Sequence, residues 1–125
     1  MKDKTKLTQA ETQVMQSLWS LPEDGALSSE IMDRMPEPKP APTTLLTFLK
    51  ILKDKGFVSS TKEGKAQRFR AEVSKDGYTR MYMKEVKQTF FGGSLSSLVS
   101  FFAKEEQLND QEIQEILNII EKKNS

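Results

Sequence analysis

Cysteine and histidine are both absent from the 125 residues of this chain. Without them the chain can form no disulfide, no thiolate nucleophile and no zinc site made of cysteine and histidine ligands. The Ser-His-Asp and Cys-His arrangements of hydrolytic enzymes are excluded for the same reason. The aspartates and glutamates are scattered along predicted helix faces, and no pair is distinguished by its setting. The sequence therefore predicts a protein that is not an enzyme and needs no cofactor and no metal.

Long apolar runs are also absent. No run approaches the roughly 20 residues that a helix needs to cross a bilayer, so no membrane insertion is expected. Residues 1–6 are largely charged and lack the apolar segment of a signal peptide. With 36% apolar and 30% charged residues, the composition fits a folded domain, or a small domain with an appendage. These features predict a cytoplasmic protein.

Acidic residues are scarce in one part of the chain. Residues 39–70 contain eight lysines and arginines against two acids, whereas residues 8–37 contain six acids and a single cation, Arg34. The whole chain has a net charge of only +1. Positive charge is thus concentrated in one segment, where it can face a polyanion such as nucleic acid.

The first half of the chain has the pattern of a helix-turn-helix. Thr8 and Glu11 have the spacing of a capping box, which predicts a helix beginning at Thr8. A short second helix is predicted over residues 28–35, after a Pro- and Gly-containing turn. Pro42 is suited to the first position of a third helix, and Gly56 is suited to its end.

A β-hairpin is predicted directly after the third helix. Residues 57–61 and 67–73 have strand-forming composition, and a glycine-containing loop over residues 62–66 joins them. A helix-turn-helix followed by a hairpin is the winged-helix architecture. The predicted fold is therefore mainly α with a small β-hairpin: a winged-helix DNA-binding domain over residues 1–74, then a helical dimerisation domain over residues 75–125.

The predicted DNA contacts come from the third helix and the hairpin. The helix positions expected to reach bases or phosphates are Thr43, Thr44, Leu46, Thr47 and Lys50. The hairpin cations expected to reach phosphates or the minor groove are Lys62, Lys65, Arg68 and Arg70. The alternative for each of these side chains is an ordinary solvated surface.

The last fifty residues contain apolar stripes at helical spacing, interrupted at Gly92-Gly93. A three-helix segment of this size rarely forms a sufficient core alone, which predicts a homodimer; the alternative is a monomer whose tail folds back on the winged helix. The residues predicted to form the dimer interface are Tyr82, Leu98, Val99, Phe102, Ile113, Ile116, Leu117 and Ile120.

Several short motifs occur together in an order found in one known family. They are Leu7-Thr8-Gln9-Ala10-Glu11, Pro42-Thr43-Thr44-Leu45, Lys55-Gly56-Phe57-Val58, Gly92-Gly93 and Ser97-Leu98-Val99. By these motifs, over nearly its whole length, the chain resembles the penicillinase repressors of the BlaI/MecI type. The resemblance implies a dimeric winged-helix repressor that binds a palindromic double-stranded DNA operator and controls antibiotic-resistance genes.

The resemblance also implies a mode of induction. In this family a membrane-bound sensor protease responds to a β-lactam, and the repressor is cut in its dimerisation region, here between Phe101 and Phe102. The chain departs from well-known members in four features: Phe101 stands where they have Asn, Leu46 where they have Arg and Ala41 where a Ser cap is usual, and the chain is one residue longer after Gly92-Gly93. Leu46 can make no charge-assisted contact but can touch a thymine methyl group.

Two other functions remain open from the sequence. One is a winged-helix module that binds protein rather than DNA, which the low net charge allows. The other is a repressor controlled by a small-molecule ligand, although no residue pattern identifies such a ligand.

Overall fold

The computed structural model describes residues 6–124. The predicted lack of a signal peptide rests on residues 1–6, of which 1–5 lie outside the described residues. Within the described range no helix combines the length and apolarity that a membrane crossing requires. The chain divides into two compact units, of which the first ends at Tyr82 and the second begins at Met83.

The described residues form helices and a small sheet in the order of a winged helix with C-terminal helices, which confirms the predicted fold class. The elements are α1 (Gln9–Trp19), β1 (Ala26–Leu27), α2 (Ser28–Arg34), α3 (Pro42–Asp54), β2 (Val58–Glu63), β3 (Ala66–Ala71), α4 (Lys75–Phe91), α5 (Leu95–Glu105) and α6 (Asp110–Asn124).

The ends of α1 and α3 follow from local chemistry, as predicted. Thr8 Oγ1 accepts a hydrogen bond from the Glu11 amide at 3.2 Å, and the Glu11 carboxylate accepts one from the Thr8 amide at 2.9 Å. This capping box satisfies two amides that the first helical turn leaves unpaired. Pro42 is the first residue of α3, and Gly56 follows the helix with φ of +84°. Both ends of α3 are thus fixed by residues suited to them.

The sheet is antiparallel with strand order β1-β3-β2. Glu63 pairs with Ala66, so the turn of the hairpin consists of Gly64 and Lys65 alone, with Gly64 at φ of +65°. The predicted five-residue loop over 62–66 was too long, because glycine at a positive φ lets the strands pair up to the turn. The two-residue strand β1 was not predicted, since so short a segment has no readable alternation.

The first unit has a single apolar core. It is formed where α1, α2 and α3 pack together, with the sheet and the start of α4 closing it. Its buried apolar residues are Leu7, Val14, Met15, Leu18, Ala26, Ile31, Met35, Leu45, Leu49, Leu52, Phe57, Val58, Phe69 and Tyr78.

Glu11 is also buried in the first unit, where it forms an ion pair with Lys55 at 2.7 Å. The Lys55 ammonium donates a second hydrogen bond to the carbonyl oxygen of Lys6 at 3.3 Å. Burial alone raises the pKa of the Glu11 carboxyl, but the hydrogen bonds from Lys55 and the Thr8 amide outweigh burial and hold that pKa below its ordinary value. The pair connects the start of α1 to the end of α3.

The second unit differs because none of residues 83–123 is buried. Its helices are nevertheless well defined at their starts. Ser94 caps α5 by accepting a hydrogen bond from the Ser97 amide at 3.1 Å, and Asn109 accepts one from the Glu112 amide at 2.8 Å at the start of α6. Residues 83–123 therefore form helices with capped starts but contribute no buried core residue.

Candidate nucleic-acid interface

Helix α3 presents one polar face to solvent and one apolar face to the core. Leu45, Leu49 and Leu52 are buried and anchor the helix. The five predicted contact residues of this helix are all exposed: Thr43, Thr44, Leu46, Thr47 and Lys50. Since residues three and four apart lie on the same side of a helix, most of this set forms a continuous outward surface.

A groove separates α3 from the hairpin and encloses a cavity of about 610 Å³. Among the described residues its wall contains three lysines, Lys50, Lys53 and Lys65, and no carboxylate. The residues that line the groove are Leu27, Ser28, Ser29, Leu46, Lys50, Lys53, Lys65, Ala66, Gln67 and Phe69. A concave surface with one sign of charge concentrates the field that attracts a phosphate backbone.

Three residues of this groove, Lys53, Ser28 and Ser29, were not predicted from the sequence. Lys53 lies one helical turn after Lys50, and its ammonium donates to Ser60 Oγ at 2.9 Å, so it bridges α3 and β2. The helical spacing of Lys53 from Lys50 was a usable signal. Ser28 and Ser29 reach the groove only because β1 pairs with β3, which the sequence pattern did not reveal.

The hairpin cations separate into two groups. The side chains of Lys62 and Lys65 are exposed and, within the described part of the chain, form no hydrogen bond or ion pair. Arg68 instead forms an ion pair with Glu63, and its Nη1 donates to the carbonyl oxygen of Gly25 at 2.9 Å. Arg70 Nε donates to the carbonyl oxygen of Asp24 at 3.1 Å. Arg68 is thus occupied inside the protein, where it braces the hairpin.

The brace depends on a close backbone approach. Gly25 has φ of +103°, and a Cβ atom there would lie 2.7 Å from the carbonyl oxygen of Phe69. Only glycine fits this position without displacing β3. The hydrogen bond from Arg68 also lowers the pKa of Glu63, which keeps that carboxylate charged as a partner. The hairpin is therefore held against the turn that precedes β1.

The predicted interface and cleavage residues lie in the C-terminal helices. In the second unit Leu98 and Ile116 are half-buried, whereas Val99, Phe102, Ile113, Leu117 and Ile120 are exposed. Tyr82 is the last residue of the first unit, with its ring 6.0 Å from that of Tyr78. Phe101 and Phe102 both lie inside α5. The ring centroid of Phe101 is 5.7 Å from that of Phe91 and 5.7 Å from that of Phe102.

The first unit has an exposed helix, α3, with a basic groove beside it, and a hairpin of β2 and β3, the wing, that Arg68 holds against Gly25. These features define the winged helix-turn-helix class of transcription regulators. Comparison with known proteins specifies the family. The family model described as "Penicillinase repressor" matches residues 7–122. The chain belongs to this penicillinase repressor family, whose members are regulators of transcription and not enzymes.

Individual relatives are similar over nearly their whole length. The penicillinase repressor of Bacillus licheniformis is 26% identical over 122 residues, covering 97% of this chain and 94% of the relative. The methicillin resistance regulatory protein MecI of Staphylococcus aureus (strain N315) is 29% identical over 125 residues, covering 98% of this chain and 100% of the relative. The penicillinase repressor of Staphylococcus aureus is 29% identical over 122 residues, covering 94% and 95%.

Proposed function

We propose that this protein is a cytoplasmic, homodimeric repressor that binds a palindromic DNA operator and controls antibiotic-resistance genes. The observation that carries the proposal is the groove between α3 and the wing, which in residues 6–124 is lined by three lysines and no carboxylate. The names of the relatives, penicillinase repressor and methicillin resistance regulatory protein, support the type of gene.

In this proposal α3 lies in the major groove. Its exposed N-terminal half contains Thr43, Thr44, Leu46 and Thr47, and the major groove admits an α-helix whose first turns touch base edges. Lys50 follows on the same face and lines the basic groove. The DNA backbone that borders the major groove then runs along the lysines of the basic groove. These lysines neutralise phosphates whatever the base sequence.

The wing extends the phosphate contact to the neighbouring part of the duplex. Lys65 occupies the two-residue turn and Lys62 lies just before it, so both are at the tip of the hairpin. Neither has a partner in the described part of the protein. Arg68 was predicted among the DNA contacts, but its bonds to Glu63 and Gly25 support a bracing role instead.

The helices after residue 74 form the dimerisation domain in this proposal, with a second copy of the chain as the partner. The exposed apolar side chains support this assignment, since Phe90 is 74% exposed, Leu95 62% and Ile119 68%. None of residues 83–123 is buried, so the apolar surface of that segment lies in water, whereas pairing removes such surface with a gain of about 25 cal/mol per Å². Two recognition helices then contact two half-sites about one helical turn apart.

Induction by proteolysis follows from the family resemblance, with a membrane-bound sensor protease as partner and the Phe101–Phe102 bond as the site. Both residues are within the eleven-residue helix α5, so cleavage requires that helix to unwind. A helix this short is only marginally stable by itself. Because Leu98, Val99 and Phe102 of α5 also belong to the proposed interface, cleavage requires that part of the interface to open as well. The cut separates α6 from the DNA-binding domain. A chain ending at Phe101 is therefore expected to sediment as a monomer, and a stable dimer would contradict this mechanism.

Binding to DNA tests the central proposal. Fluorescence anisotropy of the full chain on duplexes selected from a random-sequence library, with competitor DNA and at several salt concentrations, is expected to give saturable binding that survives the competitor. Lys50→Ala is expected to weaken binding, whereas Lys39→Ala serves as the matched control, because Lys39 donates to the carbonyls of Met32 and Asp33 instead of lining the groove. Weak binding that is equal for all sequences would instead favour a protein-interaction module.

A further inference from the structure

The outward face of α3 contains an apolar side chain where base contact is expected. Leu46 is 47% exposed, and it neighbours Thr43 and Lys50 at helical spacing. The core beneath does not need Leu46, because Leu45 and Leu49, which are fully buried, fill it. A half-exposed leucine among threonines and lysines is therefore available for an apolar contact with a ligand.

Thr47 does not add a hydrogen-bond donor to this face. Its Oγ1 donates to the carbonyl oxygen of Thr43 at 3.1 Å, which commits the hydroxyl proton inside the helix. Thr47 then offers a base edge only its methyl group and acceptor lone pairs. The middle of the face accordingly lacks a side chain that can donate to N7 or O6 of guanine until Lys50 is reached.

We propose that Leu46 determines sequence specificity by packing against the C5 methyl group of a thymine in each half-site. This inference rests on the proposed function, because it assumes that α3 enters the major groove. Thymine is the only standard base that presents a methyl group there. The lysines of the adjacent groove attract phosphates of any sequence, so discrimination falls to the contacts of the helix face.

A different role for Leu46 makes a distinct prediction. Leu46 lines the same cavity as Ala66 and Phe69 of β3, so it could serve only to support the wing. Loss of that support would weaken binding to every DNA by the same factor. Dependence on the thymine methyl group itself separates the two roles.

The experiment replaces thymine by uracil, which removes the C5 methyl group and leaves base pairing and phosphates unchanged. The probe is the duplex that the full chain selects from a random-sequence library, with single dT-to-dU replacements at each thymine of a half-site. Loss of one methyl contact is expected to weaken binding about fourfold at one position per half-site. Replacements elsewhere in the half-site are expected to have little effect.

Variants assign the effect to the side chain. Leu46→Ala is expected to bind the thymine duplex about fourfold more weakly per half-site and to show no further loss with uracil. Leu46→Gln keeps the length of the side chain and is expected to lose the uracil effect as well. Ile51→Ala is the matched control, since Ile51 is also an exposed apolar residue of α3 but lies in its C-terminal half.

The outcomes are separable. Equal binding of the thymine and uracil duplexes by the unaltered protein would overturn the proposal while leaving the DNA-binding function intact. An equal uracil effect in the unaltered protein and in both Leu46 variants would assign the methyl contact to another residue and also overturn it. Failure to select any sequence from the library would overturn the proposed function and, with it, this inference.

Discussion

The two compact units of the chain have opposite relations to their apolar residues. The first unit buries fourteen apolar side chains and leaves mainly polar and cationic ones at its candidate DNA surface. In the second unit none of residues 83–123 is buried, although its helices carry phenylalanine, leucine and isoleucine at regular spacing. A complete core suits a domain that acts through its surface. An uncovered apolar face suits a segment whose structure is completed by a partner.

The largest effect is expected where the second unit pairs with its partner. Ile116→Asp places a charge in the apolar stripe of α6 and should abolish the dimer. Operator affinity should then fall about 100-fold to 10,000-fold, because two linked binding events become one. Sedimentation velocity and anisotropy measure the two effects. Gln111→Asp, on an exposed polar position of the same helix, should leave both unchanged. A variant that stays dimeric would place the interface elsewhere.

The next largest effect is expected where the turn at Gly25 contacts β3 at Phe69. Gly25→Ala and Gly64→Ala both place a side chain at a positive φ, but only the first meets the Phe69 carbonyl oxygen, at 2.7 Å, whereas the second meets nothing within 4 Å. Gly64→Ala should cost about 1 kcal/mol of unfolding free energy and Gly25→Ala about 2 kcal/mol more. Urea unfolding followed by circular dichroism measures both. Equal costs would show that the close approach contributes no strain.

A smaller effect is expected for the ion pair between α1 and α3. Glu11→Gln should destabilise the first unit by about 1–2 kcal/mol at pH 7, less than a fully buried pair because Lys55 remains partly exposed. Since folding lowers the pKa of Glu11, this contribution is complete above its ordinary value of 4.5 and is lost as the pH falls through the folded-state pKa.

Urea unfolding at several pH values provides the measurement for Glu11. The gap between the unaltered protein and Glu11→Gln should shrink below pH 4.5, whereas Glu23→Gln, at an exposed position, should show no such gap. A gap that stays constant down to low pH would contradict the charge-based account of the pair.

The smallest effect distinguishes the two groups of wing cations. Lys65→Ala should weaken DNA binding only a few-fold, for all sequences alike, and should reduce the salt-dependence slope by about one. Arg68→Met should leave the slope unchanged, because Arg68 is bonded to Glu63 and Gly25. Anisotropy at four or more salt concentrations gives both slopes. A reduced slope for Arg68→Met would return Arg68 to the DNA contacts.

The elements that the sequence predicted well are those governed by neighbouring residues. The capping box of Thr8 and Glu11, the position of Pro42 in α3 and the glycine after α3 each depend on residues a few positions apart. The buried face of α3 is also a local pattern, because Leu45, Leu49 and Leu52 recur at helical spacing. From these local rules the exposed face of the helix followed directly.

What the sequence did not predict depends on contacts between distant residues. The strand β1 exists because Ala26 pairs with Phe69, and this pairing brings Ser28 and Ser29 to the basic groove. The role of Arg68 is set by the carbonyl oxygen of Gly25, 43 residues away along the chain. A charge count treats Arg68 and Lys65 alike, whereas their surroundings give them different partners.

The most direct test of the account is the number of protomers on one operator. Titration of a labelled selected duplex with the full chain, at a DNA concentration well above the dissociation constant, gives the ratio at which the anisotropy stops rising. Sedimentation of the complex checks the mass. Binding of one homodimer to each operator predicts a single break in the titration curve at two protomers per duplex. A break at one protomer per duplex, with a complex of matching mass, would contradict it.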